Sequence, residues 1–329
     1  MHLSELKEED VVTLLADIFV STPGSGEHLR HPDDARDILP KAPRILFSLD
    51  AYTVRSLKLP WRALSDVGWA AVTGAISDVV SKGGIPYACM IGLGLPPAME
   101  VEELKDFANG LKEASEHYGV KILGGDTNES LEAWISVGVI GFTPAKVPPS
   151  RKGLKPGDAV IVTGLYGAMG YVVRHGIEQS SSIPWVVEHT KRPRTRVEVG
   201  YVIGNNFRSI SASMDVSDGL GFTLETLSGL SGFGVKLKNA PCVPQELAEL
   251  CRSDIKCLLD YTLIGGEEYG VVMGASQQGL KGVVRELEYY DVPYSIIGEV
   301  VEAQSGMYFN NERVVAGRYD QFSGWRQSS

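Results

Sequence analysis

Two mixed α/β domains are what this sequence predicts, and three observations carry that reading. The chain has 329 residues, enough for two domains of ordinary size with separate cores. Short apolar runs alternate with stretches of helical periodicity in both halves. Between the halves, residues 143–157 hold four prolines and a cluster of Lys and Arg, a composition break that marks a boundary. The expected domains are residues 1–145 and 146–329.

In chain order, residues 6–20 have the rhythm of an amphipathic helix and residues 21–26 form a Gly/Ser loop. Residues 44–50 are an apolar run closing on Asp50, which predicts a buried strand. Residues 65–83 begin with a Ser-Asp helix start and keep Trp69, Val72, Ile76 and Val79 on one face, most simply as core. A strand over 87–95 is closed by Pro96-Pro97. The helix over 101–118 stops at Gly119, and strands follow at 120–123 and 134–142. The second half repeats the alternation, with strands at 159–164 and 212–216 and helices at 168–176 and 219–230. Runs at 261–273 and 294–301 add two more strands. The sequence shows no close internal repeat and no low-complexity segment.

Composition narrows the function. Apolar residues make up 43% and charged residues 22%, which excludes wholesale disorder. A net charge of −10 gives no general basic surface for nucleic acid. The 37 glycines point to tight turns or to backbone brought close to a ligand. The N-terminus lacks the basic start and apolar block of a secretion signal, and no apolar run is long enough to span a bilayer. A cytoplasmic location away from the membrane is therefore expected. Cys89, Cys242, Cys251 and Cys257 have no CxxC spacing and read as scattered thiols in a reducing compartment.

The aspartates carry the chemistry. Asp33 and Asp34 lie in a loop, Asp50 ends a strand, and Asp78 sits inside an otherwise apolar helix. Asp126 belongs to a Gly124-Gly125-Asp126-Thr127 turn, and Asp215 and Asp218 to the stretch MDVSDGL. A single aspartate is most often a solvated surface group. Several placed at strand ends among apolar neighbours repel one another, and divalent cations are the usual remedy. Oxygen ligands with open coordination suit Mg²⁺, which shares phosphate oxygens. The bare backbone at Gly124 and Gly125 offers N–H groups to a phosphate. Ser217 offers a hydroxyl that could donate a hydrogen bond to a phosphate, and Gly219 opens a helix whose N-terminus favours an anion or metal-phosphate. The GxxxxGK[ST] loop, the protein-kinase HRD and DFG motifs, the GxSxG elbow and HExxH are all absent from the sequence.

In order, these pieces resemble the superfamily of aminoimidazole ribonucleotide synthetase, selenophosphate synthetase, the hydrogenase maturation dehydratase and thiamine-monophosphate kinase, the last most closely. The likeness runs from Pro32 to Phe322 through PDDARDIL, SLDAYTV, LGGDTNES, RKGLKPGDAVIVTG, RPRTRVEVG, MDVSDGL, SGFGVKL, GGEEYG and RYDQF. It implies an aminoimidazole ribonucleotide synthetase-like α/β fold. The N-terminal domain would form a homodimer through its sheet, the C-terminal domain would be α/β, and ATP would lie in the cleft between them. It also implies magnesium ligands at Asp33, Asp34, Ser48, Asp50, Asp78, Asp126, Asp215 and Asp218. ATP contacts would come from Gly124, Gly125, Asp126, Arg151 and Ser217, substrate contacts from Glu268 and Tyr319, and catalysis would depend most on Asp126 and Asp215.

The sequence departs from the family pattern at His31-Pro32 before the paired aspartates and at Leu49 in place of a threonine. It departs again at Leu57-Lys58 in place of a His-Phe pair, and at GGEEYG in place of GGEDYE. Positions for metal and ATP match the pattern better than positions for the acceptor. The expected reaction is ATP- and Mg-dependent phosphorylation of thiamine monophosphate. The alternatives are a same-fold enzyme acting on another small molecule, or an inactive nucleotide-binding regulator.

Overall fold

The computed structural model describes residues 1–19, 40–316, 318–320 and 324–326. Asp33 and Asp34 lie outside the described residues. The chain divides into two compact units, one of Met1–Val79 with Ile85–Phe142, the other of Val80–Gly84 with Thr143–Ser329.

The first unit holds helices α1 (Glu8–Phe19), α2 (Val54–Leu57), α3 (Leu64–Ser81) and α4 (Val101–Tyr118). Its strands are β1 (Arg44–Thr53), β2 (Ile85–Leu95), β3 (Lys121–Glu129) and β4 (Trp134–Thr143), in the order β1-β4-β2-β3. β2 pairs parallel with β3 and antiparallel with β4. Glu100 and Glu103 form a capping box at the start of α4, and Gly119 takes the left-handed φ of 65° that ends it. α3 is apolar almost all round, and its Val67, Ala71, Val72, Ala75 and Ile76 are fully buried. Burying one leucine-sized side chain contributes about 2 kcal/mol, so this helix is a main source of the unit's cohesion.

In the second unit the helices are α5 (Ala168–His175), α6 (Ile177–Ser180), α7 (Pro184–Lys191), α8 (Glu198–Asn205), α9 (Leu220–Ser231), α10 (Gln245–Leu250), α11 (Ile255–Thr262) and α12 (Leu280–Tyr289). The strands begin with β5 (Ala159–Thr163), β6 (Ile210–Asp215), β7 (Gly234–Leu237), β8 (Val271–Ala275) and β9 (Tyr294–Val301). They continue with β10 (Gly306–Phe309), β11 (Glu312–Val314), β12 (Arg318–Asp320) and β13 (Gly324–Arg326). Seven of them form one sheet in the order β11-β10-β7-β9-β5-β8-β6, while β12 and β13 make a separate hairpin. Leu220, Leu224 and Leu227 of α9 pack on Val160, Val162, Val272 and Ile297 of that sheet.

Four sequence expectations change. β1 is not buried: it lies at a sheet edge, and every second residue, including Phe47 at 74% and Leu49 at 71%, is exposed. It also runs on to Thr53, so Asp50 lies inside it. The Gly124–Thr127 stretch is no turn but the middle of β3, admitted to the sheet by a bulge where Cys89 pairs with Ile122 and Met90 with Gly124. The apolar run over 261–273 is split: Asp254 caps α11, which ends at Thr262, and Gly265-Gly266 break the chain before β8 starts at Val271. Finally, Cys251 and Cys257 are joined in a disulfide, leaving Cys89 and Cys242 as the free thiols.

Candidate functional site

In the first unit the period-two alternation of β1 sends Ser48, Asp50 and Tyr52 to one face and Leu49 to the other. Ser48 Oγ donates to Asp78 Oδ2 on α3 at 2.5 Å, and Tyr52 Oη donates to Asp50 Oδ2 at 2.8 Å. Leu49 instead lies beside Gly138 of β4, whose register partner is Met90. Asp126 pairs with Gly92 on that same open face, and Asn128 Nδ2 donates to its Oδ2 at 2.8 Å. Gly125 is obligatory, because an added Cβ would stand 1.7 Å from the carbonyl oxygen of Ile91. Gly124 has open space around it but a φ of +154°.

The sheet therefore separates the expected ligands. Asp50 lies on one edge strand and Asp126 on the other, three inter-strand steps of about 4.8 Å apart. Among the described residues no three His, Cys, Asp or Glu side chains converge to enclose a metal. The donor chemistry nevertheless fits a hard divalent cation, since every group on offer is a carboxylate or hydroxyl oxygen.

The second unit gathers its residues more closely. Asp215 ends β6 and is 3% exposed. Two loops lie side by side here, joined through their backbones. Glu267 N–H donates to Ser217 O at 2.7 Å, Tyr269 N–H to Val216 O at 2.9 Å, and Val216 N–H to Gly270 O at 2.9 Å. Gly219 opens α9 at φ 113°, and a Cβ there would approach Gly265 O at 2.8 Å. MDVSDGL and GGEEYG are thus one structure. It is a strained one, with positive φ at Glu267 (58°) and Tyr269 (44°), a setting that costs about 1–3 kcal/mol per residue and gathers at functional sites. Burial pushes the Asp218 carboxyl above its ordinary value, and the charge of Arg151 pulls it back.

Glu268 points back into the unit. Its Oε1 accepts from the backbone N–H of Gly167 at 2.6 Å, and its Oε2 is enclosed with no hydrogen-bond partner among the described residues. Burial holds this carboxyl well above the usual carboxylate range, against the opposing pull of the Gly167 and Met169 N–H groups. Gly270 leaves no room for the family's glutamate, because a Cβ would stand 2.1 Å from the Tyr166 hydroxyl. Leu57 is buried core, and Lys58 Nζ donates to the carbonyl of Arg62. Tyr319 lies in β12, in register with Trp325. Sequence alone does not mark Tyr52, Asn128 or Tyr166 as site residues, although Tyr52 lies in SLDAYTV and Asn128 in LGGDTNES. The first two sit two residues from an aspartate on strands that sequence reading ended too early.

Fold and site together define an AIR synthase related protein. The N-terminal domain of that family matches residues 32–143 and its C-terminal domain residues 155–309. The chain is 30% identical to the thiamine-monophosphate kinase of Pyrococcus horikoshii over 75% of each chain. With that of Methanopyrus kandleri it shares 29% over 93% of this chain and 94% of the relative. The crystal structure of thiamine monophosphate kinase from Aquifex aeolicus superposes with a TM-score of 0.68 at 25% identity, covering 95% of this chain and 99% of that one. The chain belongs to the thiamine-monophosphate kinase family.

Proposed function

We propose that this protein transfers the γ-phosphoryl group of ATP to thiamine monophosphate, giving thiamine diphosphate, in the cytoplasm and as a homodimer. The observation that carries the reading is likeness along almost the whole chain to a thiamine-monophosphate kinase, 94% of which is covered. In the second unit, the joined loops at Ser217 and Glu267 hold backbone N–H groups and carboxylates in fixed relation.

The acceptor is itself a phosphate monoester, largely ionised near neutrality, so no general base is required to create a nucleophile. The obstacle is repulsion between two polyanions. Magnesium held by Asp33, Asp34, Asp50, Asp78, Asp126, Asp215 and Asp218, with Ser48, would neutralise phosphate charge. Arg151 and the Ser217 hydroxyl would bind phosphate oxygens, and the backbone of Gly124 and Gly125 would admit a phosphate at close range. Glu268 would act on the acceptor's side by fixing the start of α5 at Gly167, and Tyr319 would contact the acceptor. Transfer then depends on alignment, in line, through a loose transition state.

The homodimer is supported by the open face of the four-stranded sheet, where Phe47, Leu49 and Met90 stand exposed. No described helix is long and apolar enough to cross a membrane.

The test is ADP release by the purified chain with Mg-ATP, with and without thiamine monophosphate, and direct detection of thiamine diphosphate. Stoichiometric diphosphate and ADP support the reading. Tight Mg-ATP binding with no stimulation by thiamine monophosphate would move the activity to another acceptor or leave a binding protein.

A further inference from the structure

The Cys251–Cys257 disulfide closes a short turn outside the loops just described, and its neighbours lead back to them. Cys251 is the buried C-cap of α10, Cys257 is half-buried in the first turn of α11, and their Cα atoms are 5.5 Å apart. Between them Arg252 and Ser253 both hold left-handed φ values, 50° and 57°, which side chains other than glycine adopt at a cost. The turn packs into a small apolar cluster of its own with Leu247, Leu258 and Trp185.

That cluster meets α5 at two glycines with no slack. Leu247, one helical turn before Cys251, has its Cδ2 2.3 Å from where a Cβ on Gly167 would stand. Tyr261, one turn after Cys257, sets its carbonyl oxygen 1.8 Å from the corresponding point on Gly170. Arg174 and His175 of α5 add hydrogen bonds to Asp260 O (2.9 Å) and Tyr261 Oη (3.1 Å). Gly167 in turn gives its N–H to Glu268. A shift of α10 against α11 disturbs the Leu247 and Tyr261 contacts at the start of α5, because close-packed contacts transmit displacement.

We propose that the Cys251–Cys257 disulfide is a redox latch: when intact it fixes the Gly167–Glu268 contact, and when reduced it loosens that contact and weakens acceptor binding. This regulatory role rests on the kinase reading above. A dithiol is the reductant. Its thiolate attacks the more accessible Cys257 sulfur, the Sγ–Sγ bond breaks, and Cys251 leaves as a thiolate that takes up a proton. The second dithiol sulfur then displaces Cys257, which also ends as a thiol. Two electrons have passed to the protein, and the dithiol has become a disulfide.

The experiment compares the full-length chain, air-oxidised and dithiothreitol-reduced, with thiol alkylation and mass spectrometry confirming each state. Amide hydrogen exchange over residues 167–175 should quicken about fivefold or more on reduction, with α4 as an unaffected control. KM for thiamine monophosphate should rise about fivefold or more while KM for Mg-ATP stays constant. A Cys251→Ser/Cys257→Ser double variant should give the reduced-state values with or without dithiothreitol. Equal exchange over 167–175 in the two states overturns the latch, as does finding both thiols free in the air-oxidised protein. An unchanged acceptor KM despite altered exchange overturns its regulatory role. If neither state phosphorylates thiamine monophosphate, the acceptor reading fails, and the exchange comparison still decides the latch.

Discussion

Glu268 accepts a 2.6 Å hydrogen bond from the backbone N–H of Gly167, tying the GGEEYG loop to the N-cap residue of α5. A carboxyl placed by resemblance among substrate contacts thus works first as a helix cap inside its own unit.

The bond has a pH signature. Burial raises the Glu268 pKa above its ordinary 4.5, so the folded chain keeps a proton that the unfolded chain releases near that pH. Its contribution to stability is complete below 4.5 and is lost as pH rises through the folded value. Glu268→Gln cannot ionise and keeps the acceptor oxygen, so its urea midpoint should decline less with rising pH than that of the wild type. Glu268→Ala leaves the Gly167 N–H unpaired and should cost about 1–3 kcal/mol at low pH, a cost that shrinks as pH rises because the variant has no buried carboxyl to ionise. Parallel pH profiles for wild type and the Gln variant would contradict this account.

Gly124 and Gly125 are neighbours with different reasons to be glycine. A methyl on Gly125 meets Ile91 O at 1.7 Å, so Gly125→Ala must push β3 away from β2. A loss of about 3 kcal/mol or more is expected, enough to lower the yield of folded protein. Gly124→Ala meets no atom within 4 Å and suffers only from its φ of +154°, about 1–3 kcal/mol. Urea midpoints of the two variants should rank in that order. The reverse order would mean that the bulge, not the close approach, dictates the motif.

Much of this fold was legible because hydrophobic period follows from geometry. The helix over Val101–Tyr118 is bounded by a capping box and a glycine, both visible as residue types. β3 was ended too soon because Gly-Gly-Asp has the composition of a turn, and only its pairing with β2 shows that the strand continues. The Cys251–Cys257 bond was missed because six-residue spacing says nothing until a tight turn brings the cysteines together. The joining of Ser217 to Glu267 was equally hidden, since it depends on backbone bonds between segments 50 positions apart. Motif matching picked out both segments; their contact needed three dimensions.

Asp126 and Asp215 differ in setting, and neutralising them should separate chemistry from stability. Asp126 is exposed on an edge strand, with one oxygen bonded to Asn128, so Asp126→Asn should shift Tm by no more than about 2 °C. Asp215 is 3% exposed, and its Asn variant keeps the volume without the buried charge. Both variants should lose about 100-fold or more in kcat for thiamine diphosphate formation if they hold magnesium. Normal turnover by either, measured at saturating Mg-ATP, would remove that residue from the metal set.

The last prediction concerns the open face of the first unit's sheet. A monomeric protein has no reason to keep Phe47 at 74% and Leu49 at 71% exposure on an edge strand, where unpaired backbone already invites association. Sheet-to-sheet pairing of two copies would cover both. If two copies pair in this way, Phe47→Arg with Leu49→Arg should sediment as a monomer where the unaltered chain sediments as a dimer. The variant should fold normally, because neither side chain contributes to the core of a single chain and surface changes typically cost within about 0.5 kcal/mol. A second consequence follows from the distance between edges. Asp50 and Asp126 stand on opposite edges of one sheet, so a site using both draws them together only when a second sheet supplies the missing edge. On that logic the monomeric variant loses turnover along with association, although its aspartates are untouched. A folded monomer with full activity would show that one chain suffices and that the exposed face serves another end.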